Sequence, residues 1–211
     1  MKNFILFDND GVLVETELWY FHANEKAMKE LGVTLELEYY LELMKHGGNW
    51  WELAMQRGVS LEEVNRARER RSRYYQHYLR TENIYIEGVE EVIRELSEHY
   101  RMGIVTTSRR VDFELIHHEK KLTRYMEFVL CEEDYSRAKP HPDPYLKGLE
   151  LLSAHPNDTI VVEDSQRGLT SAVHAGIECA IVKNDFTASH DFSAATYRID
   201  SLNDLKALLT R

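Results

Sequence analysis

Only two cysteines occur in the 211 residues, Cys131 and Cys179, and neither sits in a spaced cluster. That excludes a disulfide framework and leaves reduced thiols of a cytosolic compartment as the default. No apolar run approaches the length needed to cross a bilayer, so no membrane partner is expected. Met1-Lys2-Asn3 and the four apolar residues after it are too short for a secretory leader, and a soluble cytoplasmic protein is expected. Basic residues are in deficit: 26 Lys and Arg stand against 36 Asp and Glu, a formal charge of -10. A nucleic-acid backbone wants a basic face, so no nucleic-acid partner is expected. The same deficit means that an anionic substrate needs a local positive centre, such as a metal ion. Internal repeats and low-complexity segments are also missing. With 43% hydrophobic residues the chain can bury one sizeable core, with room for a small second module.

What is present alternates between two textures. Short apolar runs, each followed by polar or turn residues, stand at 3–7, 102–106, 127–130, 159–162 and 179–182, with helical patterns between most of them. Nearly continuous apolar strands alternating with helices indicate an α/β fold, a parallel sheet covered on both faces. In such sheets functional groups gather beyond the C-terminal strand ends.

Residues 16 to 80 interrupt the alternation. Thr16 is placed to cap a helix carrying Leu18, Phe21, Met28 and Leu31, with Gly32 as its stop. A second helix is expected over 35–45, and a third capped by Asn49 and ended by Gly58. Ser60-Leu61-Glu62-Glu63 fits a capping box that opens a long basic helix through Arg80. Four helices without a strand predict a separate helical module at 15–81, inserted in a core made of 1–14 and 82–211.

The ends of the apolar runs carry the chemistry. Asp8-Asn9-Asp10-Gly11 follows the first, Thr106-Thr107-Ser108 the second and Glu163-Asp164-Ser165 the fourth, while Lys139 stands in the loop "RAKPHPDP" after the third. Alone, Asn-Asp-Gly reads as a turn, and Glu163-Asp164 as a helix N-terminus favoured by the macrodipole. Strand residues two apart point to the same side, so Asp8 and Asp10 can reach one ligand. Several carboxylates cannot share a pocket in the ionised state without compensation. A hard divalent cation supplies it, and Mg²⁺ takes one or two carboxylates with phosphate oxygen and water. Such a set suits phosphoryl transfer, with a carboxylate able to act as nucleophile.

The order "FDNDGVL", "GIVTTS", "RAKPHPDPY", "VVEDSQRGLTSAVHAGI" resembles the four motifs of the haloacid dehalogenase-like (HAD) phosphohydrolases. It is most similar to the branch of β-phosphoglucomutases and phosphoglycolate or sugar-phosphate phosphatases. The resemblance covers residues 1–14 and 82–185, only loosely 185–211, and implies a Rossmann-like core with an inserted helical cap. It implies Asp8 as nucleophile, Asp10 as general acid and base, and Thr106 and Lys139 as partners of the transferring phosphoryl group. It further implies Mg²⁺ bound by Asp8, Asp164 and the backbone carbonyl of Asp10, with Glu163 assisting, and a cap that closes over the substrate.

Around this centre, Thr107 and the loop His46-Gly47-Gly48-Asn49 are candidate substrate contacts. Trp50-Trp51 and Tyr74-Tyr75 read as packing residues. Arg66, Arg68, Arg70, Arg71 and Arg73, like Arg109-Arg110, read as solvated helix surface. The expected activity is hydrolysis of a small phosphorylated metabolite by a monomer, with a dimer as the alternative state. A phosphosugar mutase is the nearest alternative. Against it, Tyr20 stands where mutases carry a histidine, and "HGGNWW" lacks their arginine, although His22 and Arg70 lie nearby. A receiver-like phosphate acceptor is an alternative of another class; receivers are shorter and lack the Asp-x-Asp and the helical insertion.

Overall fold

The structure, a computed structural model, describes residues 2–119 and 121–209. In chain order the first elements are β1 (Phe4–Phe7), α1 (Glu17–Glu30), α2 (Leu37–His46), α3 (Glu52–Gln56) and α4 (Leu61–Thr81). Then come α5 (Val89–Leu96), β2 (Arg101–Val105), α6 (Arg110–Ile116), β3 (Phe128–Leu130) and α7 (Asp143–Leu152). The chain ends with β4 (Thr159–Glu163), α8 (Gln166–His174), β5 (Glu178–Val182), β6 (Tyr197–Ile199) and α9 (Leu202–Leu209). Two compact units result: Met1–Glu15 with Tyr85–Arg211, and Thr16–Ile84.

The first unit holds a parallel sheet ordered β3-β2-β1-β4-β5-β6. β1 is central, because Phe4 to Phe7 pair with Arg101 to Ile104 of β2 on one side and with Thr159 to Val162 of β4 on the other. A strand hydrogen-bonded on both edges and covered on both faces must be apolar throughout, which explains the unbroken "FILF". Its residues alternate between two cores. Ile5 and Phe7, with Ile104, Ile160 and Val162, pack against Val92, Ile93 and Leu96 of α5, Phe113 of α6 and Leu202 and Leu205 of α9. Leu6, with Val105, Val161 and Ile181, packs against Tyr145, Leu149 and Leu152 of α7 and Leu169 and Ala172 of α8. Each such side chain contributes about 1.5–3 kcal/mol by leaving water. The sheet is thus the doubly wound α/β fold that the sequence predicts. Strand order reverses beside β1, so the C-terminal ends of β1, β2 and β4 flank the switch point where such sheets bind ligands.

β6 is an addition to the expected strands. Among the described residues it is an edge strand paired only with β5, and of its three residues only Ile199 is buried. Tyr-Arg-Ile is no continuous apolar run, and an edge strand does not need one, so this segment carries no strand signal.

In the helical unit, α1 and α4 pack along each other. The capping box is present as expected: Ser60 Oγ accepts the Glu63 N–H at 3.2 Å and Glu63 Oε2 accepts the Ser60 N–H at 3.0 Å. Two details differ from expectation. Thr16 stands at the N-cap of α1 but makes no side-chain cap bond, and the buried residues of α1 are Phe21, Ala23, Asn24, Ala27 and Met28, with Leu18 and Leu31 only half-buried. The third helix begins at Glu52, not beside Asn49; Asn49 Oδ1 instead accepts the Trp51 N–H at 3.3 Å in a turn ahead of it. Trp51 and Tyr75 are buried packing residues, and Tyr20 meets Tyr75 edge-on at 5.0 Å. The basic helix spends its arginines locally: Arg66 pairs with Glu62 and Arg70 with Glu30. Among the described residues no helix is long and apolar enough to cross a membrane.

Gly103 of β2 faces Phe128 across the ladder, and a Cβ there would lie 2.3 Å from the tip of the Phe128 ring. Gly103→Ala therefore forces the ring aside within a packed face and is expected to destabilise by about 1–3 kcal/mol. The measurement is urea unfolding, with a lower midpoint at unchanged slope.

Candidate active site

Directly beyond Phe7 the chain leaves the sheet: the Asp8 N–H still donates to Val162 O at 2.9 Å, and then a tight turn begins. The Asn9 carbonyl accepts the N–H groups of Val12, Leu13 and Val14 at 3.3, 2.8 and 3.2 Å. Gly11 completes the turn at φ 78°, and a Cβ there would sit 2.2 Å from Asp164 Oδ2. Glycine is needed both for the left-handed backbone and for the close approach of the β1 loop to the β4 loop.

Lys139 reaches this point from the loop between β3 and α7. Its ammonium donates to Asp8 Oδ1 at 2.7 Å, Glu163 Oε1 at 2.6 Å and Val105 O at 2.9 Å, so all three N–H bonds are used. Its backbone is held too, since Arg167 Nη2 donates to Lys139 O at 2.6 Å. Glu163 is fully buried and fully satisfied. Its Oε1 also accepts the Tyr145 hydroxyl at 2.7 Å. Its Oε2 accepts the N–H groups of Asp164 and Ser165, at 3.2 and 3.3 Å, and Ser165 Oγ at 3.0 Å. Space for this carboxylate exists only because residue 168 is glycine; a Cβ there would fall 1.8 Å from it. A buried charge is tolerated when it is paired and hydrogen-bonded in this way.

One cation shared by two carboxylates leaves a deficit. Burial, reinforced by Glu163 and only partly offset by Lys139, pushes the Asp8 carboxyl up to about 7. Burial alone would lower the Lys139 pKa, but Asp8 and Glu163 outweigh it and hold the ammonium above the usual lysine range. Oxygens of Asp8, Glu163 and Asp164 lie within 4.8 Å of one another. Hard carboxylate oxygens, uncompensated charge and a glycine-walled approach fit a divalent cation.

Asp10 has different company. Its Oδ2 accepts from Ser108 Oγ at 2.6 Å, Thr106 Oγ1 at 3.3 Å and Asn9 Nδ2 at 3.3 Å. Thr106 is buried at the end of β2, its carbonyl accepting the Tyr135 hydroxyl at 2.8 Å and its Oγ1 accepting the Ser108 N–H at 3.1 Å. The structure thus brings Asp8, Asp10, Thr106, Lys139, Glu163 and Asp164 to one sheet edge. Thr107 is exposed, and its neighbour Ser108 is the one that reaches Asp10. Ser108, Tyr145 and Asn184, whose Nδ2 lies 3.5 Å from Gly11 O and 3.4 Å from Glu15 Oε2, escaped the sequence reading. Only Ser108 had a signal, as part of the polar cluster after β2. His46, Gly47 and Asn49 belong to the helical unit. The His46 side chain lies outside the described residues, Gly47 closes α2 in the left-handed conformation at φ 67°, and Asn49 holds the turn before α3.

Because folding raises the Asp8 pKa, the protonated form is the one folding favours. The stability it lends is full below about 4 and is lost as pH rises through about 7. A cation binding at Asp8 must displace that proton at low pH. Added divalent cation is therefore expected to raise the unfolding temperature of the metal-free protein more at pH 8 than at pH 6, read by differential scanning fluorimetry. Equal shifts at both would mean that Asp8 is already ionised.

The family described as haloacid dehalogenase-like hydrolase matches residues 5–182. Protein CbbY of Rhodobacter capsulatus is 28% identical over 211 residues, covering 94% of this chain and 93% of that protein. The pyrophosphatase PpaX of Bacillus mycoides is 33% identical over 128 residues, 59% of this chain, so the match spans only 60% of that relative's length. Among solved structures, CbbY from Rhodobacter sphaeroides in complex with phosphate superposes with a TM-score of 0.81 at 23% identity, over 97% of this chain and 96% of that one. A HAD-superfamily hydrolase of subfamily IA from Geobacter sulfurreducens superposes at 0.75 with 20% identity, over 99% and 96%. At such identities these two likenesses speak for the fold alone. The family match, which runs from β1 to the end of β5 and takes in all four clusters that meet at the sheet edge, assigns the chain to the haloacid dehalogenase-like hydrolase family.

Proposed function

We propose that the chain is a Mg²⁺-dependent phosphoric monoester hydrolase that acts on a small phosphorylated metabolite, a sugar phosphate or similar monoester, through a phosphorylated Asp8. The observation that carries this reading is the single contact set of Lys139, which holds Asp8 at 2.7 Å beside the acidic group completed by Glu163 and Asp164. The relatives support the chemistry class: PpaX is named a pyrophosphatase, and the R. sphaeroides CbbY was crystallised with phosphate and, as a mutant, with xylulose bisphosphate.

The residues that would hold Mg²⁺ are Asp8, Asp164, the backbone carbonyl of Asp10 and, assisting, Glu163. The bound ion supplies positive charge that offsets the acids and an incoming phosphate. Asp8, steadied by Lys139, forms a bond from one carboxylate oxygen to phosphorus as the bond from phosphorus to the leaving oxygen breaks. Asp10 delivers its proton to that oxygen. A water then attacks phosphorus and gives a proton back to Asp10, the Asp8–phosphorus bond breaks, and inorganic phosphate leaves. The Thr106 hydroxyl and the Lys139 ammonium meet the charge on the phosphoryl oxygens. Thr107, His46, Gly47 and Asn49 are assigned to substrate contact, and the helical unit to the cap that selects the substrate.

The test is turnover of p-nitrophenyl phosphate. Activity is expected with Mg²⁺, lost with EDTA and restored by adding Mg²⁺ back. Asp8→Asn abolishes it, and Asp10→Asn lowers kcat by about 10²–10⁴-fold. One phosphate trapped per chain without further turnover would instead indicate a receiver-like acceptor. A panel of sugar phosphates, phosphoglycolate, nucleotides and pyrophosphate then identifies the substrate class.

A further inference from the structure

Asn9 stands between the two aspartates and is fully buried, and its side-chain amide faces two groups. Its Oδ1 lies 2.7 Å from Nε2 of His117, at the C-terminal end of α6, and its Nδ2 lies 3.3 Å from Asp10 Oδ2. Chemistry fixes the orientation of this amide. A carboxylate only accepts, so the NH₂ must face Asp10 and the carbonyl must face the imidazole. The imidazole nitrogen on that side then carries the hydrogen. Burial lowers His117 to about 4, so the ring is neutral and its one N–H is committed to Asn9. The Phe113 ring, 4.4 Å from the imidazole between centroids, backs it from within α6.

We propose that His117, acting through the Asn9 amide, is a positioning residue that sets which oxygen of Asp10 carries the proton given to the leaving group. The inference rests on the reading of Asp10 as general acid. Three donors converge on Oδ2: Ser108 Oγ, Thr106 Oγ1 and Asn9 Nδ2. The two hydroxyls can rotate and accept instead of donating. The amide NH₂ cannot accept, so of the three it is the one partner that consistently favours an unprotonated Oδ2, and it biases the proton of the acid form toward Oδ1. Without the His117 N–H, the amide is free to turn over and present its carbonyl to Asp10, which reverses the preference. Asn9 is thus one side chain serving the catalytic turn twice, since its backbone carbonyl also gathers the N–H groups of Val12, Leu13 and Val14.

The experiment uses a series of aryl phosphates of similar size, from p-nitrophenyl phosphate, whose leaving group departs as the anion, to phenyl phosphate, whose leaving group needs a proton. The readout is kcat/KM, which reports the steps through phosphoryl transfer to Asp8. His117→Phe is expected to lower kcat/KM about tenfold for phenyl phosphate and less than about twofold for p-nitrophenyl phosphate, a fraction of what general acid catalysis supplies. His117→Gln keeps an N–H donor toward Asn9 and is expected to restore the phenyl phosphate rate. Should His117→Phe not fold, Asn9→Ser carries the same comparison. An equal loss across the series, or no rescue by His117→Gln, overturns the inference and leaves Asn9 and His117 as core packing only. Asp10→Asn separates this from failure of the acid reading. If it steepens the dependence on leaving group while His117→Phe does not, only the pairing is wrong; if it lowers all substrates alike, the acid assignment fails and the inference falls with it.

Discussion

The ammonium of Lys139 is the contact on which the rest of the site depends. It is one positive charge out of water between two carboxylates, and neither partner comes from a neighbouring part of the chain: Asp8 follows β1 and Glu163 ends β4. Removing the lysine would leave two uncompensated buried carboxylates, which costs several kcal/mol. That penalty explains features that otherwise look unrelated. The Tyr145 hydroxyl, the Ser165 side chain and the start of α8 exist at these positions to satisfy Glu163, and residue 168 lacks a Cβ to make room for it. Even the β2 end takes part, through Val105 O, so a single side chain registers three strand ends against each other.

The same arrangement keeps the acids under electrostatic tension. Lys139 cannot neutralise both partners, and Asp164 and Asp10 stand close by with charges of their own. A pocket of this kind is not optimised for the stability of the empty protein, as the raised pKa of Asp8 records. It is optimised for what enters it. A divalent cation held there would relieve the repulsion, and the free energy so released would become binding energy. The overall charge of -10 bears on this point, because the local centre has to attract an anionic substrate against the field of the whole molecule.

The frame of the core was legible in the sequence because parallel strands buried on both faces must be apolar along their length, which makes β1, β2, β4 and β5 stand out. The clusters at their C-terminal ends were legible for the complementary reason: polar residues directly after an apolar run have nowhere to go but the sheet edge. β6 was invisible because only one of its three residues is buried, whereas β3 at the opposite edge keeps the apolar run Phe-Val-Leu. Ser108 could be suspected by its place after β2, but the choice between Thr107 and Ser108 depends on which way a turn rotates. Tyr145 and His117 carry no signal at all. Tyr145 lies in α7 and His117 directly after α6, places where an aromatic ring reads as core, and what distinguishes each is a single polar atom aimed at a partner 18 or 108 residues away. Thr16 and Asn49 illustrate the opposite error, cap-forming residue types that make no cap bond, Asn49 holding a turn instead.

Two carboxylates two residues apart come to have different chemistry through their neighbours. Asp8 is buried beside Lys139 and Glu163, where burial and Glu163 raise its carboxyl and the Lys139 ammonium is the neighbour that favours the ionised form. Asp10 is half-buried among two hydroxyls and an amide. All three can go on donating to Oδ2 when the proton sits on Oδ1, so this environment accommodates both protonation states with little rearrangement. A group that must give up a proton in one step and recover it in the next needs that tolerance, whereas a nucleophile needs the reverse. The division of labour proposed for Asp8 and Asp10 would therefore rest on what the loops after β2 and β3 bring to the end of β1, with residue 9, which lies between them, as part of it.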